Sequence, residues 1–166
     1  QGVIKKDTRV RISNSITKAP FRYICRIKIN RPDGRTGTGT GLLIGPKTVL
    51  TAAHVIWDDV NNKKWDASRI KVIPAQNGST TPPFGIFNVS NLVMSYAGFN
   101  TNDFVTNKDY AIIHLTTSAA DTIGYWGKKW KIDPVGTSIL QKSLPLPAGT
   151  LKANLSGYPG DKGKNT

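Results

Sequence analysis

Two residues of the 166-residue chain have the type and setting for acid–base chemistry, His54 and Asp109. His54 follows the apolar, β-branched run Thr48-Val49-Leu50-Thr51-Ala52-Ala53, and Asp109 opens the apolar run Tyr110-Ala111-Ile112-Ile113. An imidazole acts as a general base when one ring nitrogen faces the substrate and a carboxylate holds the other, fixing tautomer and orientation. Each residue also has an ordinary reading, a histidine on an apolar strand and an aspartate in the turn before one. Taken singly, neither residue decides between the two readings.

Other chemistries find less support. The only other histidine, His114, shares no paired spacing with His54, and no cysteine or carboxylate cluster surrounds either, so no metal site is expected. His114 lies inside Ile112-Ile113-His114-Leu115 and reads as a hydrogen-bonded structural side chain. The glycines of Gly37-Thr38-Gly39-Thr40-Gly41 and Gly45-Pro46-Lys47-Thr48 do not make a phosphate loop. Such a loop needs lysine directly after its last glycine at the start of a helix, whereas Pro46 intervenes and Val49-Leu50-Thr51 favours a strand. These glycines predict a strand that another backbone approaches closely, then a tight turn. No cofactor is implied.

The elements that must position the two residues are strands. In residues 21–29, Phe21, Tyr23, Cys25, Ile27 and Ile29 share one face while Arg22, Arg26 and Lys28 take the other, predicting a half-buried strand with Cys25 on its core side. Arg31-Pro32-Asp33-Gly34 predicts a hairpin turn into a second strand at 37–44. Further strands are predicted at 49–51, 69–75, 86–95, 109–116, 138–141 and 151–158, with long polar loops at 58–68 and 97–108. No 3.6-residue period persists beyond one turn after Ala52, so the class is all-β, a barrel or sandwich. A composition shift near Ala119 divides the chain into a compact unit, residues 1–120, and a connecting segment with a few strands, residues 121–166.

Composition bounds the partners. A formal charge of +13 favours anionic partners, yet the basic residues are scattered along the chain and lack interleaved aromatics, so no specific nucleic-acid binding is expected. One cysteine allows no disulfide within the chain. No run approaches the roughly 20 apolar residues that span a bilayer, and Gln1 to Val10 has no apolar signal core, so no membrane association is expected.

Taken together, the motifs resemble a known family. Thr51-Ala52-Ala53-His54, led in by Gly39-Thr40-Gly41-Leu42-Leu43-Ile44-Gly45, resembles the histidine motif of chymotrypsin-fold serine proteases. Asp109-Tyr110-Ala111-Ile112-Ile113, 55 positions on, is similar to the motif of their aspartate. Val3-Ile4, Ile44-Gly45-Pro46-Lys47-Thr48-Val49, Ile123-Gly124-Tyr125-Trp126-Gly127 and Ser156-Gly157-Tyr158-Pro159-Gly160-Asp161-Lys162 resemble the secreted bacterial glutamyl endopeptidases. The resemblance implies two antiparallel β-barrels with the active site between them, 1–120 forming the first and 121–166 the incomplete start of the second. It implies an extracellular endopeptidase that cleaves after Glu or Asp, with His54 and Asp109 catalytic. The α-amino group of a mature N-terminus near Val3 would help to hold the substrate carboxylate.

Three departures shape that expectation. Val55 stands where many relatives carry a disulfide cysteine, and Gln1-Gly2 extends beyond Val3. The Gly-x-Ser-Gly turn that carries nucleophile and oxyanion hole in the family is not among these residues, and Ser156 falls in a segment matched to another element. The serine is therefore expected outside this chain, on a second polypeptide or a missing C-terminal half, leaving 1–166 alone inactive. The competing reading is a catalytically inactive, protease-derived binding protein whose basic surface holds acidic partners.

Overall fold

The computed structural model describes residues 12, 14–78, 81–94, 99–100 and 108–126. Their main body is a closed barrel of six antiparallel strands. In chain order the strands are β1 (Ile24–Asn30), β2 (Thr36–Gly45), β3 (Thr48–Thr51), β4 (Trp57–Asp58), β5 (Lys63–Lys64), β6 (Ile70–Pro74), β7 (Phe87–Met94) and β8 (Ala111–Leu115). The barrel runs β1-β2-β3-β8-β7-β6 and closes from β6 back to β1, while β4 and β5 pair separately. The expected all-β class is the observed one, and no helix among the described residues is long and apolar enough to cross a membrane.

Alternation decides which side chains enter the barrel. Cys25, Ile27 and Ile29 of β1, Leu43 of β2, Val49 of β3, Ile70 and Val72 of β6, and Ala111, Ile113 and Leu115 of β8 are all buried. Each large branched residue among them contributes about 1.5–3 kcal/mol by leaving water. On β7 the period slips: Val89 and Leu92, three positions apart, both point inward because a bulge between Val89 and Asn91 shifts the pairing with β8.

Two expectations at the start of the barrel change. Residues 21–23 form a 3-10 turn instead of the first third of a strand, since the Arg22 N–H donates to Lys18 O and the Tyr23 N–H to Pro20 O. The glycines of β2 are approached mainly by side chains, not by another backbone. A methyl at Gly41 would sit 2.6 Å from Val49 Cγ1 and 3.0 Å from Ile27 Cδ1, and one at Gly39 would collide with Val55 Cγ1 and Cγ2.

Residues 58–68, expected as a polar loop, hold the short β4–β5 hairpin and the start of a 3-10 turn at Ala67–Arg69. Paired strands of two residues are too short to show any alternation. The expected strands at 138–141 and 151–158, the start of a second barrel and the segment 156–162 lie outside the described residues. Up to Trp126 the chain stays against the barrel: Ala119 and Ile123 are buried, and the Trp126 N–H donates to Leu43 O at 2.9 Å.

Cys25 is wholly buried, and burial pushes its thiol up to about 12 against the smaller opposing effect of the Leu43 backbone. It is expected to resist maleimide at pH 8 in the native protein and to react at least about 100-fold faster once denatured. Equal rates in a thiol-labelling time course would contradict its place in the core.

Candidate active site

Strands β3 and β8 are distant in sequence but adjacent in the barrel, with Thr51 opposite Ala111. His54 follows the end of β3 by three residues and Asp109 precedes β8 by two, so antiparallel pairing brings both to one barrel rim. A 3-10 turn, Ala53–Ile56, carries the histidine, anchored by the buried side chains of Ala53 and Ile56. Val55 fits over Gly39, so an inward glycine on β2 makes the space that seats the histidine turn.

The two side chains meet through both carboxylate oxygens. Asp109 Oδ1 accepts the backbone N–H of His54 at 2.9 Å, and Oδ2 lies 2.7 Å from His54 Nδ1. The Asp109 side chain is 16% exposed and the His54 side chain 47%, so the carboxylate is sheltered while the ring reaches solvent. An ionised carboxylate is acceptor-only, so the pair puts a proton on Nδ1. The base lone pair then falls on Nε2, the nitrogen on the far side of the ring. Partial burial strengthens the attraction between Asp109 and a protonated imidazole relative to bulk water.

The segment after the histidine is held by a second carboxylate, Asp58, at the start of the stretch expected as a polar loop. Asp58, 3% exposed, accepts the N–H groups of Val60 and Asn61 through Oδ1 and Asn61 Nδ2 through Oδ2 at 2.7 Å. Burial pushes its carboxyl up, but the Asn61 and Val60 hydrogen bonds together with Lys63 outweigh it, leaving the group below 3.8. Stabilisation by this depressed carboxyl is therefore present above pH 3.8 and lost as pH falls through the lower, folded value. Asp58→Ala is expected to cost about 1–3 kcal/mol at pH 7, with the gap from the parent narrowing below pH 3.8 in denaturant titrations. A gap independent of pH would contradict the role of the charge.

The other expected residues fall elsewhere. Val3 lies outside the described residues. His114 sits on the outer barrel face, because Ile113 and Leu115 on either side point inward. Its backbone carbonyl accepts the Ser90 hydroxyl at 3.1 Å, and among the described residues its ring makes no hydrogen bond, contrary to expectation. Sequence reading missed the fit of Val55 to Gly39, although the Gly-Thr-Gly-Thr-Gly run was a visible signal of crowding.

Residues 13–150 match the family described as Trypsin. The chain is 32% identical over 167 residues to the glutamyl endopeptidase of Bacillus licheniformis, covering 100% of this chain and 45% of that protein. It is also 32% identical over 163 residues to a Bacillus subtilis protein named extracellular metalloprotease, covering 96% of this chain and 45% of that one. The chain thus spans about half the length of the curated relatives it matches. A solved Glu endopeptidase in complex with MPD superposes with a TM-score of 0.59 at 24% identity, covering 80% of this chain and 56% of that one. A thermostable serine protease, AL20, superposes at 0.53 and 20% identity, covering 66% of this chain and 52% of its own. At these identities the structural matches speak for the fold.

Proposed function

The chain belongs to the trypsin family, and from that premise we propose that it is the histidine- and aspartate-bearing part of a secreted serine endopeptidase that cleaves after acidic residues. The observation that carries this reading is the double contact of Asp109, to the backbone N–H and to Nδ1 of His54. His54 Nε2 takes the proton from a serine hydroxyl as its oxygen attacks the scissile carbonyl carbon, and returns it to the departing amine. Water then repeats the cycle on the acyl-enzyme, while Asp109 stays ionised and stabilises the imidazolium. No metal or other cofactor enters these steps.

The serine, the oxyanion hole and the specificity pocket come from outside residues 1–166, on the same polypeptide or a second one. Support comes from the relatives, of whose length the chain covers 45%. Alone, 1–166 supplies a base without a nucleophile and is expected to be inactive. Preference for Glu is supported by the name of the Bacillus licheniformis relative, glutamyl endopeptidase, and the charge of +13 favours acidic substrates, Asp included, in general. Secretion is supported by the Bacillus subtilis relative, whose name places that protein outside the cell. The competing reading, an inactive binding protein, leaves the His54–Asp109 contact without a use.

Digestion of a denatured protein by the full-length enzyme, with new termini mapped by mass spectrometry, tests the reaction and its specificity. Cuts after Glu and Asp that persist in the presence of a chelator are expected. Cuts after basic or apolar residues would overturn the specificity, and activity abolished by chelation would overturn the serine mechanism.

Gly39 gives a separate test of how the base is positioned. Gly39→Ala pushes its methyl into Val55 and shifts the turn that carries His54. It is expected to lower kcat by about 100-fold, because small misplacements of a catalytic group carry losses of that order. Adding Val55→Ala removes the colliding methyl groups and restores most of the rate. A kcat unaffected by Gly39→Ala would show that the turn is not seated by this contact.

A further inference from the structure

All ten carboxylate side chains of residues 1–166 belong to aspartate, and the chain has no glutamate. Glutamate ranks among the commonest residues of globular domains, so its complete absence calls for a cause. Three general causes fail. Strand formation disfavours Asp more than Glu and disfavours Lys as well, yet ten Asp and sixteen Lys stand in this all-β chain. A strongly basic balance is reached by losing either acid, whereas only one is missing. Nor is room lacking. Asp59, Asp66 and Asp121 are exposed in loops and turns, Asp66 with 78% of its side chain in solvent, where a side chain one methylene longer would fit as well.

We infer that the missing glutamates make residues 1–166 resistant to digestion by other copies of the same enzyme. The inference rests on the proposed function for the chemistry of the active site. Proteolysis of a folded chain proceeds through locally opened conformations, in which burial no longer shields a bond. The contacts that enclose Asp58 and Asp109 are lost in an opened chain, so there only the choice of residue protects. The exposed aspartates show which residue must be avoided. An enzyme that cut after Asp as fast as after Glu would nick itself at Asp59, Asp66 and Asp121, in the kind of segment where nicking concentrates. The shorter Asp side chain falls one methylene short of groups placed to hold Glu, and a methylene changes rates by about 10- to 200-fold. Self-resistance is thus written in composition, and the fold adds to it only while it stays closed.

The test uses full-length His54→Ala, unable to cut itself, as a denatured substrate for a small amount of the active full-length protein. A denatured reference protein containing both acids is digested beside it, and fragments are mapped by mass spectrometry. Bonds after Asp within residues 1–166 are expected to be hydrolysed about 10- to 200-fold more slowly than bonds after Glu in the reference. Adding Asp66→Glu to the His54→Ala substrate is expected to create one fast site, the bond between residues 66 and 67, cut at the rate of the Glu bonds in the reference. Because the substrate is unfolded, this reading does not depend on whether the substituted chain folds. Asp bonds in 1–166 cut as fast as Glu bonds, or a bond after residue 66 unchanged by the substitution, would overturn the inference and leave an acid-directed serine endopeptidase standing. A full-length protein that cuts the reference after other residues, or not at all, would remove the proposed function and the inference with it.

Discussion

His54→Ala in the full-length protein is expected to lower kcat on a peptide substrate by about 10⁴- to 10⁶-fold, with KM changed only a few-fold. The size follows from what the ring does. Without it the serine hydroxyl keeps its proton at neutral pH, and the leaving amine has no acid to receive it from. What remains is substrate positioning and charge stabilisation by groups outside this chain, which sets the floor of the loss. The fold should survive, because the His54 side chain is 47% exposed and the bond from its backbone N–H to Asp109 Oδ1 does not need the ring. Steady-state kinetics with an unfolding curve as control gives the measurement. A loss below about tenfold in a folded variant would remove His54 as the base.

Asp109→Asn is expected to cost about 10⁴-fold in kcat, although it changes one atom and keeps the shape. The geometry explains why such a small change is so damaging. The backbone N–H of His54 claims one carboxylate oxygen, so the asparagine carbonyl must take that place and its NH₂ must face Nδ1. Nδ1 then becomes an acceptor, the ring proton moves to Nε2, and the nitrogen that should accept the serine proton already carries one. The measurement pairs kcat with the ring tautomer, read from ¹⁵N shifts of His54. The Nδ1–H form is expected in the parent and the Nε2–H form in the variant. A variant that keeps the parent tautomer and rate would show that Asp109 does not orient the ring.

These expectations draw on features of unequal visibility in the sequence. The barrel strands were legible because a closed sheet with one dry face imposes period two: Cys25, Ile27 and Ile29 went inward as expected, and Arg26 and Lys28 outward. Alternation does not carry through a bulge, so it did not show Val89 and Leu92 on the same side of β7. Nor does it exist in paired strands of two residues, which hid the hairpin made by Trp57–Asp58 and Lys63–Lys64. Phe21 and Tyr23 fit the alternation, but local hydrogen bonds to Lys18 and Pro20 won the backbone for a 3-10 turn.

The candidate site was legible as two separate motifs and not as a contact. Nothing in a separation of 55 residues says that β8 inserts beside β3; that follows from the order in which the barrel closes. The family resemblance implies the pairing, and the structure adds what motifs do not hold, the use of both Asp109 oxygens. The space that Gly39 leaves for Val55 was signalled by a glycine-rich strand, but its occupant was not, because a side chain arriving from a turn leaves no periodic trace.

The most direct test of the account is fluorophosphonate labelling of the full-length protein with the adduct mapped by mass spectrometry. A single modified serine outside residues 1–166 is expected, labelled at a rate that falls at least about 10³-fold in His54→Ala. No adduct, or an adduct formed equally fast without the histidine, would contradict it.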